Sequence, residues 1–315
     1  MATRTARGKT GLFGRDVLSF ADLSPDEVQA LLDRALAFKR GDRSKPLEGK
    51  TVALVFEKPS LRTKVSFDIG VHQLGGHAVY IAPQEVGLGT REPASDVAKV
   101  LSRYVDAIVC RTFAQSTLEE LAQAASVPVI NALSDREHPC QALADILTIR
   151  EAKGRLNGVT VAFVGDGNNV AASLALAVAS TGGAFRIASP RGYVLPQSVV
   201  DQAKGIATAT GASVDLMTDP KDAVRTADVV YTDVWTSMGQ EAETKVRLAA
   251  FKGYQVNTRL MALAKPDAVF MHDMPAHYGE EVPPGFLDNP KSVAYQQAEN
   301  RLHAQKALLA AVLSR

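Results

Sequence analysis

Ser60, Leu61, Arg62 and Thr63 follow directly on the apolar run TVALVF (51–56), and their types suit an anion. Ser60 can cap a helix whose apolar residues Phe67, Val71 and Leu74 share one face. Free amides at a helix start and the positive end of its dipole attract phosphate, Arg62 can grip two of its oxygens, and Thr63 adds a hydroxyl donor. Taken alone, the segment reads equally well as an ordinary capped helix with a surface arginine. Arg111 stands just past the strand-like DAIVC (106–110), at the carboxyl edge where open α/β sheets gather ligands. SDREHPCQALAD (134–145) then sets His138 and Gln141 at the mouth of another helix, where an imidazole and an amide can reach a carbonyl group and an adjacent NH₂. A lone histidine there is usually a cap.

A different chemistry is spelled further along. GDGNNV (165–170) follows the run VTVAFV as another strand–turn–helix corner, which competes with nucleotide binding. That reading is weakened because Val170 stands where GxGxxG needs its third glycine, and the next strand ends in Ser189, not an acidic residue. DVVYTD (228–233) delivers Asp233 at its tip, ahead of Trp235, Ser237, Met238 and Gly239. An exposed aspartate beside a glycine loop suits an ammonium ligand; a capped turn with a half-buried tryptophan is the plainer account. FMHDMPAH (270–277) closes the series with Asp273 and Met274.

These corners need a scaffold of strands and helices. Ser24, Pro25 and Glu27 spell a helix start, followed by Val28, Leu31, Leu32 and Ala35 at helical spacing. From Thr51 strands and helices alternate: strands at 51–56, 77–82 and 106–110, a helix after Ser60 and another over Ala94 to Tyr104. After a long helix, Gln141 to Lys153, strands recur near 159–164, 185–189, 213–217, 228–233 and 268–272, and one final helix runs from Val293 to Leu313. The fold expected is α/β with two domains, each a parallel sheet flanked by helices. The first takes residues 1–150 and the terminal helix 293–315, which packs back on it; the second takes 151–292.

The chain has 315 residues, beyond a single core, so two domains of roughly 150 residues fit. With 46% hydrophobic and 22% charged residues and a net charge of +1, it lacks the field to hold nucleic acid or an anionic membrane, which favours a small-molecule ligand. Cys110 and Cys140, without metal-ligand spacing, suit a reducing, cytoplasmic setting. No apolar run approaches the roughly 18 residues of a membrane helix, and the basic start MATRTARGKTGLFGRD reads as a frayed tail and not a secretion signal.

SLRT (60–63), Arg111 and HPCQ (138–141) together resemble the carbamoyl-phosphate signature of aspartate and ornithine carbamoyltransferases. The resemblance covers about Val17 to Leu313. It implies that Ser60, Leu61, Arg62, Thr63 and Arg111 hold the phosphate, and that His138, Pro139, Cys140 and Gln141 orient the carbamoyl group. Arg301 in AENRLH matches the family arginine that reaches back to the carbamoyl and phosphate oxygens. DVWTSMG resembles the loop of the ornithine-specific branch, which implicates Asn169, Asp233, Ser237, Met238, Asp273 and Met274 on L-ornithine. The catalytic set implied is Arg111, His138, Asp273 and Arg301, acting on carbamoyl phosphate with no metal and no organic cofactor, in a homotrimer. The sequence departs from the family twice. Relatives usually read HCLP where this chain reads HDMP, and Gly87 in QEVGLGTRE stands where they place a polar side chain that enters a neighbour's phosphate site. Three rivals stay open: a carbamoyltransferase for another amine such as putrescine or lysine, a silent carbamoyl-phosphate binder, and a nucleotide-dependent oxidoreductase.

Overall fold

The computed structural model describes residues 11–89, 91–237 and 239–315; the first part of the basic start, and Met238, lie outside the described residues. The chain divides at Ala144/Asp145 and at Glu299/Asn300 into two compact units.

The first unit is built on four parallel strands: β1 (Thr51–Phe56), β2 (His77–Ile81), β3 (Ala107–Arg111) and β4 (Val129–Leu133), in the order β2-β1-β3-β4. Every residue of β1 after Thr51 is buried, as a strand covered on both faces requires. One face is covered by Val97, Ala98, Leu118 and Leu121 from helices Ala94–Leu101 and Gln115–Ala124, packed on Ala53, Val55 and Ile108. Helix Leu61–Gln73 buries Phe67 and Val71, the face its spacing predicts, and Leu74 at its C-cap is buried with them. Helix Pro25–Lys39 opens with a full capping box between Ser24 and Glu27. The end of the last helix belongs to this unit, with Lys39 Nζ donating to Asn300 Oδ1 at 2.8 Å and Lys306 Nζ to Gln73 Oε1 at 3.0 Å.

The second unit holds five parallel strands: β5 (Thr160–Val164), β6 (Ala184–Ala188), β7 (Ser213–Met217), β8 (Val229–Tyr231) and β9 (Val269–Met271), in the order β7-β6-β5-β8-β9. Helix Asn169–Ser180 is buried from Val170 onward, which explains its near-continuous apolar sequence. A second cluster joins Val164 and Val230 to Val256, Phe270 and Phe286, the last two rings edge-to-face at 4.9 Å.

Several boundaries differ from the sequence reading. β8 stops at Tyr231 and not Asp233, because Thr232 turns its hydroxyl onto Val164 O at 2.6 Å and the chain leaves the sheet. β4 and the Gln115 helix are absent from that reading; VPVINALS is short and its proline disguises a strand whose pairing begins only beyond it. In each sheet the strand order reverses once, between β1 and β3 in the first unit and between β5 and β8 in the second. Ligands of open α/β sheets collect at the carboxyl end of such switch points. Among the described residues no helix is long and apolar enough to cross a membrane.

Candidate active site

At the β1/β3 switch point, β1 ends at Phe56 opposite Arg111, the last residue of β3, and Glu57 N donates to Arg111 O at 2.8 Å. Ser60 caps the helix that follows, accepting from Thr63 N at 3.4 Å and donating to Thr63 Oγ1 at 3.0 Å. Thr63 is fully buried and Arg62 is partly buried, whereas the Leu61 side chain is 75% exposed, so only its backbone amide faces the helix start.

The loop after β4 is fixed by Ser134, which accepts from Glu137 N at 3.2 Å and donates to Gln115 Oε1 at 2.6 Å. It delivers His138 to the start of helix Pro139–Lys153, where a proline at the first position sacrifices no helical hydrogen bond. Cys140 turns inward, its thiol donating to Asn131 O at 3.3 Å and pushed up to about 12 by burial. Gln141 is buried, and its Oε1 accepts from Arg301 Nη1 at 2.9 Å while Arg301 Nη2 donates to Thr63 Oγ1. One guanidinium from the last helix thus ties the β1 corner to the β4 corner. Burial pushes the His138 imidazole well below its ordinary 6.5, and the charges of Arg301 and Arg111 push it further the same way. His138 is therefore a neutral donor beside cations. The helix start at Ser60, with Arg301 on Thr63 and with Arg301 and Arg111 near His138, gathers the donors and positive charge that an anion calls for.

At the β5/β8 switch point the chemistry reverses sign. Asn168 caps helix Asn169–Ser180, its Oδ1 accepting from Val170 N and Ala171 N at 3.0 and 3.1 Å, and its Nδ2 donating to Asp233 Oδ2 at 2.7 Å. Gly167 must be glycine, because a Cβ there would sit 2.3 Å from Leu195 N. That close approach, not a pyrophosphate, accounts for the second glycine of GDGNN. Asp233 was expected to be exposed; it is buried, held by Asn168 and by Val234 N at 2.7 Å. Trp235, expected to be half-buried, is buried and stacked on Phe251. After β9, His272 accepts from Met274 N at Nδ1 (2.9 Å), so its proton lies on Nε2, which donates to Glu281 Oε1 at 3.1 Å. That arrangement shapes the HDMP turn and brings Asp273 close to Asp233: potential ligand atoms of Asp233, His272 and Asp273 lie within 4.8 Å of one another.

The chain matches the model of the aspartate/ornithine carbamoyltransferase carbamoyl-P binding domain over residues 15–151 and that of the Asp/Orn binding domain over 157–312. It belongs to the aspartate/ornithine carbamoyltransferase family. It is 52% identical to the ornithine carbamoyltransferase of Bacillus subtilis, covering 97% of this chain and 96% of that protein. The Pyrococcus furiosus ornithine carbamoyltransferase structure superposes with a TM-score of 0.93 at 50% identity, over 97% of this chain and 99% of that one. A Thermus thermophilus ornithine carbamoyltransferase gives 0.86 at 46% identity, over 95% and 99%.

Within this carbamoyltransferase, Ser60, Thr63, Gln141 and Arg301 are joined by hydrogen bonds, with His138 in the electrostatic reach of Arg111 and Arg301. Asn169, the N-terminal residue of its helix, keeps its Oδ1 on Val170 N at 3.1 Å, and it is the neighbouring Asn168, which the sequence reading passed over, that contacts Asp233. Asp166, Arg247, Glu281 and Gln297 were also missed. Gln297 Oε1 accepts from His272 N at 2.9 Å and its Nε2 donates to Asp145 Oδ1 at 2.7 Å, a role that sequence spacing cannot signal. Glu281 gives no sequence signal, since it follows Glu280 in HYGEEVPP like an ordinary surface acid, yet it is fully buried and has to be paired. Asp233, His272 and Asp273 could be read as a metal set, but both His272 nitrogens are engaged. Two adjoining carboxylates remain, which suit an ammonium group.

Proposed function

We infer that this enzyme transfers the carbamoyl group of carbamoyl phosphate to the δ-amine of L-ornithine, giving L-citrulline and phosphate. The observation that carries the reading is Arg301 bridging Thr63 of SLRT to Gln141 of HPCQ, which makes one anion site of segments far apart in sequence. The phosphate is taken by the Ser60 helix start, Arg62, Thr63 and Arg111. Gln141 takes the carbamoyl NH₂, and neutral His138 donates toward the carbonyl oxygen without adding charge. The amino acid is taken by Asn169, Ser237, Met238 and Met274, with Asp233 and Asp273 on the δ-nitrogen.

The uncharged amine attacks the carbonyl carbon, the N–C bond forms, and the oxyanion shares the charges of Arg111, Arg301 and the His138 N–H. The C–O bond to phosphate then breaks. The amine proton goes to Asp273 or to the departing phosphate. Freeing that amine, with a pKa of about 10.4, costs roughly 4 kcal/mol at neutral pH before the site helps. Two carboxylates favour the ammonium instead, so Asp273 earns a catalytic role only by accepting the proton, and activity rises with pH. Residues 1–150 with the terminal helix form the carbamoyl-phosphate domain and 151–292 the amine domain. A homotrimer is supported by Leu61, Val65 and Ile69, spaced along one helix face and 75%, 48% and 42% exposed, which is unusual for one contiguous stripe of a monomer. Gly87, at φ 49°, offers no side chain to a neighbour's site. The working compartment is the cytoplasm.

The test is citrulline formation from carbamoyl phosphate and ornithine across pH 6 to 10, with putrescine, lysine and aspartate as rival acceptors. Ornithine-selective turnover is expected. Turnover with another amine alone reassigns the acceptor, and carbamoyl-phosphate binding without turnover makes the chain a silent binder.

A further inference from the structure

Arg247 lies on the short helix Thr244–Ala250, outside every segment assigned to substrate above, yet it is 6% exposed and hydrogen-bonded through Nη1 and Nε. Its Nη1 donates to Asp166 Oδ2 at 2.7 Å and to the Trp235 carbonyl at 3.1 Å, and its Nε donates to Glu243 Oε2 at 2.9 Å. The guanidinium carbon stands 5.0 Å from the centre of the Tyr193 ring, which packs on Phe251 at 5.0 Å. Trp235 stacks on the same Phe251 at 5.5 Å and 17°.

These contacts converge on the two segments that meet at the β5/β8 switch point. Asp166 sits two residues before Asn168, the partner of Asp233, and Trp235 O lies midway between Asp233 and Ser237. Asn168 holds one end of the 233–241 segment at Asp233, and further along Ser237 N donates to Gln240 Oε1 at 3.0 Å and Gly239 N to Glu241 Oε1 at 2.9 Å, both local bonds. The local bonds shape the turn without anchoring it. Arg247 supplies a second anchor, at Trp235, and a planar fork can reach a carboxylate, a carbonyl and a second carboxylate at once, as an ammonium cannot.

We propose that Asp166 and Arg247 form a latch that sets the position of residues 233–237, making both of them positioning residues for recognition of the amine substrate. The proposal rests on the reading that Asp233 and Ser237 take ornithine. A buried ion pair kept for stability alone would be a poor investment, since apolar or neutral replacements of both partners often cost nothing. That same fact supplies the experiment. The double variant Asp166→Asn with Arg247→Met removes the charges together and leaves no lone buried ion, and Arg247→Lys keeps one charge without the fork.

Steady-state kinetics on the full-length enzyme would vary ornithine and carbamoyl phosphate separately, with thermal unfolding to confirm that each variant is folded. The KM for ornithine is expected to rise about 10- to 100-fold in the double variant, and by less in Arg247→Lys, with the KM for carbamoyl phosphate within about twofold of the parent. A merely structural role would lower the fraction of active enzyme and leave both KM values alone. Folded variants with an unchanged ornithine KM overturn the latch. Failure of the unmodified enzyme to make citrulline overturns the ornithine reading instead, so the two failures are separable.

Discussion

The two switch points use the same backbone device for opposite charges. At β1/β3 and at β5/β8 alike, a strand ends, a polar residue caps a helix, and the next strand over delivers a second group. Ser60 makes a long 3.4 Å cap that leaves neighbouring amides available, and the side chains around it are cationic. Asn168 spends its carbonyl on two amides and its NH₂ on Asp233, closing the corner to anions beside the Asp233 carboxylate, while the nearby Arg247 charge is taken up by Asp166. A helix start is therefore a phosphate site only when its cap leaves it open and its neighbours supply positive charge.

The sharpest way to break that comparison is at Arg301. Arg301→Gln removes the donor shared by Thr63 and Gln141, and kcat/KM for carbamoyl phosphate is expected to fall by about 100- to 1,000-fold, measured by citrulline formation at saturating ornithine. A loss under tenfold would mean the cationic site does not depend on the bridge. Next in size, Asn168→Ala is expected to raise the ornithine KM about tenfold and to cost about 1 kcal/mol in denaturant unfolding through the lost cap. Ser60→Ala should move the carbamoyl-phosphate KM instead. If both substitutions affected the same substrate, the assignment of one ligand to each corner would be wrong.

Asp273→Cys exchanges a carboxylate for the thiol that relatives usually carry. Removing one of two adjoining negative charges is expected to lower the pH optimum for ornithine by about one pH unit, and an unchanged pH–rate profile would remove Asp273 from the chemistry. His138 gives the smallest effect. Below pH 6.5 the unfolded chain takes up a proton that the buried imidazole refuses, so stability is fully retained above 6.5 and falls as pH drops, by up to about 1.4 kcal/mol per pH unit from this group. Urea unfolding at pH 7.5 and pH 5.5 should show that slope, and His138→Gln should lack it.

Much of the first region was legible because its residues advertise themselves. SLRT and HPCQ sit at helix starts, and Arg111 ends a strand whose unbroken apolar run, AIVC, is plain. The second region was legible by motif but not in its wiring. Asp166 lies between two glycines that fit a phosphate loop as well, and Arg247, on a helix just after a glycine turn, has the look of a solvated residue. What buries it is the aromatic pile of Tyr193, Trp235 and Phe251, drawn from three separate segments. Local spacing carries no trace of such a meeting. The same reason hid Gln297 and made Asp233 seem exposed, since burial there is imposed by Asn168 from the neighbouring strand corner.

The only cysteines of the chain, Cys110 and Cys140, are both buried, and burial pushes both thiols up, Cys140 to about 12. The HDMP turn meanwhile carries a carboxylate where relatives hold sulfur. Peroxide, disulfide exchange and alkylating electrophiles all act on exposed thiolate, and this fold presents none. Reagents that act on thiolate therefore have no ready target here, and activity is expected to withstand thiol alkylation.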